Sequence, residues 1–109
     1  MVFQLQHNQD LERLLEKSKT NPVLIFKHST QCPISTEAYQ EFQRFAASAG
    51  ELACGLVLVI ENRELSNTVA SRLGIRHESP QAIIVRDGLA SWDASHWSIT
   101  ADSLSHALR

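Results

Sequence analysis

The chain of 109 residues lacks the features that mark membrane proteins and nucleic-acid-binding proteins. Its longest uncharged apolar run, residues 55–60, is too short to span a bilayer. The net charge of -2 provides no basic surface for nucleic acid. The residues after Met1 include no basic n-region and no apolar h-region, so no secretory signal is predicted. We therefore expect neither a membrane nor a nucleic acid among the partners.

Cysteine is scarce, since Cys32 and Cys54 are the only two in the chain. Two cysteines on different predicted elements do not form the disulfide framework of a small secreted domain. Neither cysteine forms a paired-ligand motif with any of the five histidines, so no metal site is predicted. We expect one reduced, cytoplasmic domain over residues 1–109, which is long enough to bury a hydrophobic core.

The hydrophobic periodicity alternates between helical spacing and continuous apolar runs. Helical spacing predicts helices at 10–18, at 36–49 with an opening near Pro33, at 63–73, and after Thr100. Continuous runs predict strands at 22–27, 55–60, 81–86 and 89–93. The pair Asp87-Gly88 is a strong hairpin signal between the last two strands. A parallel βαβ unit followed by an antiparallel pair predicts an α/β fold, with a mixed four-stranded sheet flanked by helices on both faces.

The segment Ser29-Thr30-Gln31-Cys32-Pro33-Ile34-Ser35 joins the first predicted strand to the second helix. Unpaired backbone N–H groups and the positive end of the helix dipole converge at such a junction, so a thiolate at Cys32 is stabilised. Pro33 suits the first helical turn, where its missing N–H costs nothing. Ser35 stands where a Cys-x-x-Cys motif has its second cysteine. The pattern therefore predicts a reactive cysteine with no resolving thiol beside it.

The order of elements is that of the thioredoxin fold, and two segments carry the resemblance: Cys32-Pro33-Ile34-Ser35, and Ser79-Pro80 directly before the third strand. The first segment, extended back to His28, resembles the Thr-Cys-Pro-Ile-Ser signature of the YtxJ family, the monothiol bacilliredoxins. Ser79-Pro80-Gln81 and His96-Trp97-Ser98-Ile99-Thr100 look like the rest of that family's pattern. The resemblance covers essentially the whole chain.

The resemblance implies a monothiol thiol–disulfide oxidoreductase that removes bacillithiol from S-bacillithiolated proteins. In such an enzyme Cys32 is the nucleophile, and bacillithiol is the low-molecular-weight thiol co-substrate. The resemblance also implies a cis peptide bond before Pro80, which would bring the Ser79 backbone up to Cys32, ready to pair with an extended substrate segment. Thioredoxins carry a buried acid six residues before the nucleophile, and Phe26 occupies that position here. This departure argues against a thioredoxin-style proton relay.

The roles of the residues around Cys32 are open from the sequence. The Ser35 hydroxyl either donates a hydrogen bond to the Cys32 thiolate or only begins the helix. His28 either keeps the thiolate ionised as an imidazolium or is a surface histidine, and for His77 a loop position is favoured. The candidates for binding the substrate or the small thiol are Thr30, Ser79, Pro80, Lys27 and Arg76. Lys27 and Arg76 are predicted as contacts for an anionic thiol.

Two alternative functions remain open. A non-catalytic thioredoxin-like adaptor would bind an extended partner in the groove at Ser79-Pro80. A dithiol reductase would use Cys54 as a distal resolving thiol, which requires Cα atoms within about 7 Å of each other. Because a long predicted helix separates Cys32 from Cys54, we favour a packing role for Cys54.

Overall fold

The computed structural model describes residues 1–109 and contains four α-helices and five strands. In chain order the elements are β1 (Val2–Gln4), α1 (Asn8–Lys17), β2 (Val23–His28), α2 (Pro33–Ala47), β3 (Ala53–Leu58), α3 (Arg63–Leu73), β4 (Gln81–Arg86), β5 (Leu89–Ser95), a short 3-10 turn (His96–Ser98) and α4 (Ala101–Ala107). None of the helices has the length and apolar character needed to cross a membrane.

The five strands form one mixed sheet in the order β1-β3-β2-β4-β5. Strands β1, β3 and β2 run parallel, and β4 and β5 are antiparallel to their neighbours. The hairpin between β4 and β5 turns at Asp87 and Gly88, which both have positive φ angles, as the sequence predicted. The mixed thioredoxin-like sheet is therefore confirmed.

Helices cover both faces of the sheet, as predicted. Strand residues alternate between the faces, so each face buries its own apolar cluster. The cluster under α1 and α3 comprises Leu5, Leu11, Leu14, Leu15, Val23, Ile25, Val57, Leu65, Val69, Ile83 and Val85. The cluster under α2 and α4 comprises Leu24, Phe26, Ala38, Phe42, Phe45, Cys54, Ala82, Ile84, Ile99 and Leu104.

The sheet has five strands rather than the predicted four. The additional strand, β1, is a three-residue edge strand that pairs with β3 from Val2–Cys54 to Gln4–Leu56. Backbone bonds from Cys54 N to Met1 O and from Leu5 N to Leu56 O, both 2.8 Å, extend this pairing. So short an edge strand has no alternating pattern to read, which is why the sequence did not reveal it.

The predicted strand at 55–60 is displaced by two residues, because β3 begins at Ala53 and ends at Leu58. Ala53 and Cys54 pair with β2, whereas the chain turns after Leu58, whose carbonyl accepts from Asn62 N at 2.8 Å. Val59 stays buried without being part of the strand. The last residue of the predicted run, Ile60, is 45% exposed, so the apolar run extends beyond both the strand and the core.

Candidate active site

Cys32 lies where β2 leads into α2, and it is the N-cap residue of that helix. Its carbonyl accepts from Thr36 N at 3.1 Å, while its side chain makes no capping hydrogen bond. Pro33 occupies the first helical turn as predicted, and that turn contains no acidic residue. The partly exposed thiol is therefore free for chemistry and lies at the positive end of a helix dipole.

The Cys32 thiol opens on a shallow hollow of about 460 Å³. The hollow is lined by Thr30, Gln31, Cys32, Pro33, Thr36 and Glu37. The predicted binding residue Thr30 therefore lies beside Cys32, but its hydroxyl already donates to the Glu61 carboxylate at 2.9 Å. Glu37 is the one charged residue in this lining, so the hollow carries no cation for an anionic thiol.

Of the two roles left open for Ser35, the structure does not show the hydrogen bond to Cys32. The fully buried Ser35 hydroxyl accepts from Ser29 N at 2.8 Å and lies 2.8 Å from His28 Nδ1. It makes no hydrogen bond to Cys32, because Ser35 faces the end of β2 rather than the exposed side of the junction. Ser35 thus closes the turn that carries Cys32.

His28 is buried, so neither of the two roles left open from the sequence, an imidazolium beside the thiolate or a surface histidine, fits the structure. The ring stacks on Tyr39 with 4.5 Å between centroids, and only 7% of the residue is exposed. Burial lowers the pKa of His28, against a smaller opposite effect of Glu61, because desolvation penalises the charged imidazolium. Phe26, on the same face, is fully buried and stacks on Phe42, so no acid occupies the thioredoxin position.

Lys27 is also buried, and its predicted contact with an anionic thiol is wrong. Because side chains alternate along β2, Lys27 points to the α1/α3 face, whereas His28 points to the α2 face. Its exposure is 0%, and burial lowers its pKa from 10.5 to about 8. The Nζ atom lies 3.1 Å from His77 Nδ1. The other predicted cation, Arg76, has a 90% exposed side chain and lies 3.7 Å from Glu78, so its binding role stays a prediction.

The peptide bond between Ser79 and Pro80 is cis, which confirms the expectation from the resemblance. Gln81 pairs with Lys27, so the next register position places Pro80 beside His28, at the same end of the sheet as Cys32. The backbone groups of residues 77–79 make no hydrogen bond, and the buried Ser79 hydroxyl has no partner. An extended substrate segment would therefore find unpaired backbone groups next to the reactive cysteine.

Cys54 cannot serve as the resolving thiol. It pairs with Leu24 near the start of β2, whereas Cys32 follows the other end of that strand. His28 lies four residues further along β2 than Leu24, a distance of about 13 Å and well beyond disulfide range. Burial raises the pKa of Cys54 to about 11, so the thiolate is disfavoured as well. No group of three or more His, Cys, Asp or Glu side chains is placed to hold a metal ion.

The buried polar contacts were missed by the sequence reasoning, although one signal pointed to them. The continuous run at 22–27 predicted a central strand, and a strand buried on both faces also buries its Lys27. The observed strand ends one residue later, so His28 is buried with it. The contacts of His77 with Lys27 and of Glu61 with Thr30 could not be predicted from local sequence, because each joins residues that are distant in the chain.

Solved structures confirm the fold. One, described as a candidate oxidoreductase with a thioredoxin fold, is 30% identical to this chain with a TM-score of 0.90, covering 99% of this chain and 94% of that one. The thioredoxin of Fasciola hepatica is 17% identical (TM-score 0.78, covering 96% and 94%). That of Trypanosoma brucei brucei is 14% identical (TM-score 0.80, covering 100% and 88%). The two thioredoxins show the fold alone.

A family model gives the more specific match. The model described as "Monothiol bacilliredoxin BrxC" matches residues 3–104, which is nearly the whole chain.

Proposed function

Because this chain belongs to the monothiol bacilliredoxin family, we propose that it removes bacillithiol from S-bacillithiolated proteins. One observation carries the proposal: the partly exposed Cys32 begins α2 beside unpaired backbone at Ser79, while Cys54 lies out of reach. A thiol–disulfide oxidoreductase built in this way has one catalytic sulfur and depends on a second thiol from solution.

The reaction takes place in two exchanges. The Cys32 thiolate attacks the bacillithiol sulfur of the mixed disulfide, and the substrate protein leaves as a thiolate that takes a proton from water. Cys32 is then disulfide-bonded to bacillithiol. A free bacillithiol thiolate attacks the bacillithiol sulfur of that adduct, which releases the Cys32 thiolate and bacillithiol disulfide. Two bacillithiol units are thereby joined as one disulfide, and the substrate thiol is restored.

The surrounding residues support these steps in different ways. The dipole of α2 stabilises the Cys32 thiolate, and the Ser35 hydroxyl holds the turn that presents it. The free backbone groups near Ser79 pair with the extended segment of the substrate protein. Bacillithiol carries carboxylates, for which first-turn N–H groups of α2 and the exposed Arg76 are the available partners.

Mass spectrometry of the protein after incubation with oxidised bacillithiol tests this function. We expect wild type and Ser35→Ala to gain one bacillithiol adduct, and Cys32→Ser to gain none. An adduct of the same extent on Cys32→Ser would contradict the proposal. Parallel incubations with glutathione disulfide and coenzyme A disulfide test the choice of thiol, because equal rates with all three would remove the bacillithiol assignment.

The unpaired backbone at residues 77–79 and the 67% exposed Trp97 also suit a non-catalytic adaptor that binds an extended segment. An adaptor would bind a reduced, unmodified form of the substrate protein as tightly in Cys32→Ala as in wild type. The oxidoreductase instead acts on the S-bacillithiolated form of that protein, from which Cys32 takes the bacillithiol, so this transfer should be lost in Cys32→Ala.

A further inference from the structure

The loop at residues 75–80, here called the proline loop, carries Ser79 and Pro80 to the active site. Its backbone makes hydrogen bonds to other backbone groups only at its two ends: Ile75 N donates to Ala70 O of α3 at 3.0 Å, and Pro80 O accepts from His96 N, at the start of the 3-10 turn, at 3.1 Å. Between these points, the backbone of residues 77–79 has no hydrogen bond. The position of the proline loop therefore depends on side chains.

Two buried side chains on the α1/α3 face fasten the proline loop to the sheet. Lys27 of β2 and Gln81 of β4 stand directly opposite each other, with exposures of 0% and 1%. Lys27 Nζ lies 3.1 Å from His77 Nδ1, and Gln81 Nε2 donates to Arg76 O at 3.0 Å. The hydroxyl of Ser66, from α3, lies 3.4 Å from the same His77 nitrogen. His77 is therefore the point at which the loop meets both the sheet and α3.

The contact between Lys27 and His77 requires a neutral imidazole. Lys27 has no carboxylate partner, and its ammonium can only donate, so His77 Nδ1 must accept. The charged groups acting on His77 are Lys27, Arg63 and Glu78. Burial, then Lys27 and Arg63, lower the pKa of His77 against the opposing effect of Glu78. Protonation of His77 would remove the acceptor and place a second cation beside the Lys27 ammonium.

We propose that Lys27 and His77 are positioning residues whose contact holds the proline loop in place for protein substrates and releases it when His77 is protonated. The inference rests on the proposed function for its choice of substrate. A protein mixed disulfide must pair with the proline loop, whereas a small disulfide needs only Cys32. Loss of the contact between Lys27 and His77 should therefore slow the reaction with a protein mixed disulfide and leave the reaction with a small disulfide unchanged.

The test compares two rates at each pH: reduction of an S-bacillithiolated protein, and reaction with hydroxyethyl disulfide, which does not titrate. Both rates depend on the same fraction of Cys32 thiolate, so the ratio of the first rate to the second does not depend on the ionisation of Cys32. In wild type we expect the ratio to fall as pH drops from about 7.5 to about 5. In Lys27→Met it should be on the order of tenfold lower at neutral pH and independent of pH. The exposed Lys17→Met serves as the matched control and should behave as wild type.

A conservative variant separates positioning from folding. His77→Asn retains an acceptor near the position of Nδ1 but does not titrate, so the ratio should stay near the wild-type value at neutral pH and no longer fall in acid. His77→Leu should lower the ratio at every pH. A pH-dependent ratio in His77→Asn equal to that of wild type would contradict the inference.

The order of the proline loop can be read directly by ¹⁵N relaxation of residues 76–79. We expect order parameters near the rigid value of about 0.85 in wild type at neutral pH, and lower values in acid or in Lys27→Met. Unchanged order parameters would overturn the inference, whatever the kinetics show. If the wild-type protein reacted with hydroxyethyl disulfide but not with the S-bacillithiolated protein, the proposed function would be contradicted. The relaxation data would still show whether Lys27 and His77 hold the proline loop.

Discussion

Two basic side chains beside the reactive cysteine in sequence, Lys27 and His28, are buried where desolvation disfavours their charged forms. Neither is placed to act as a surface cation for the thiolate or for an anionic thiol. Cys32 instead lies at the N-cap of α2, at the positive end of the helix dipole. The site thus depends on backbone electrostatics rather than on a paired charge.

The buried Lys27 gives a prediction about stability. Its pKa is about 8 in the folded chain against an ordinary 10.5. Between these values the unfolded state binds a proton that the folded state does not, so the free energy of unfolding rises with pH across that window. Below this pH window Lys27 is protonated in both states, so the folded state bears the whole free-energy cost of burying the Lys27 ammonium. Lys27→Met should remove this rise and stabilise the fold at neutral pH by roughly 3 kcal/mol at most.

Urea denaturation at a series of pH values measures this effect. Lys17→Met is the control and should keep the wild-type rise. A rise of unchanged size in Lys27→Met would show that another group is responsible. If Lys27→Met both gains stability and loses order in the proline loop, the fold retains the unfavourable buried charge of Lys27 because that charge positions the proline loop.

At the scale of secondary-structure elements, the two helix ends that matter most were predicted from local chemistry. Pro33 and the polar residues before it indicated the start of α2, and Thr100 indicated the start of α4. Local sequence did not indicate β1, which is too short for a pattern. Nor did it indicate the contacts of Lys27 and Ser35, because which partner a buried polar group meets depends on how distant elements pack.

The N-cap of α4 gives an element-scale prediction. Thr100 Oγ1 accepts from Ser103 N at 3.0 Å, and Ser103 Oγ accepts from Thr100 N at 3.0 Å. Thr100→Ala removes the first bond and should lower the free energy of unfolding by about 1 kcal/mol. Thr68→Ala, the same change inside α3, should be neutral or slightly stabilising because alanine is the better helix former. Thermal or urea unfolding of the two variants checks the difference, and equal losses would argue against the cap.

At the scale of the whole molecule, sheet topology decides the chemistry. The carboxyl end of β2 and the start of β4 meet at one end of the sheet, which brings Cys32 and the Ser79–Pro80 bond together. Cys54 belongs to the start of β3, at the opposite end. The sequence indicated the reactive cysteine and, through its family resemblance, the cis proline. It left the role of Cys54 open, because only the strand register fixes the distance between the two thiols.

The central claim, that one thiol carries the reaction and a second must come from solution, is tested most directly by a time course of intact mass. Wild-type protein is loaded with oxidised bacillithiol, freed of excess reagent and followed without any added thiol. The account predicts one adduct on Cys32 that persists and is lost only when free bacillithiol is added. Spontaneous loss of the adduct, with peptide mapping showing a Cys32–Cys54 disulfide, would contradict it.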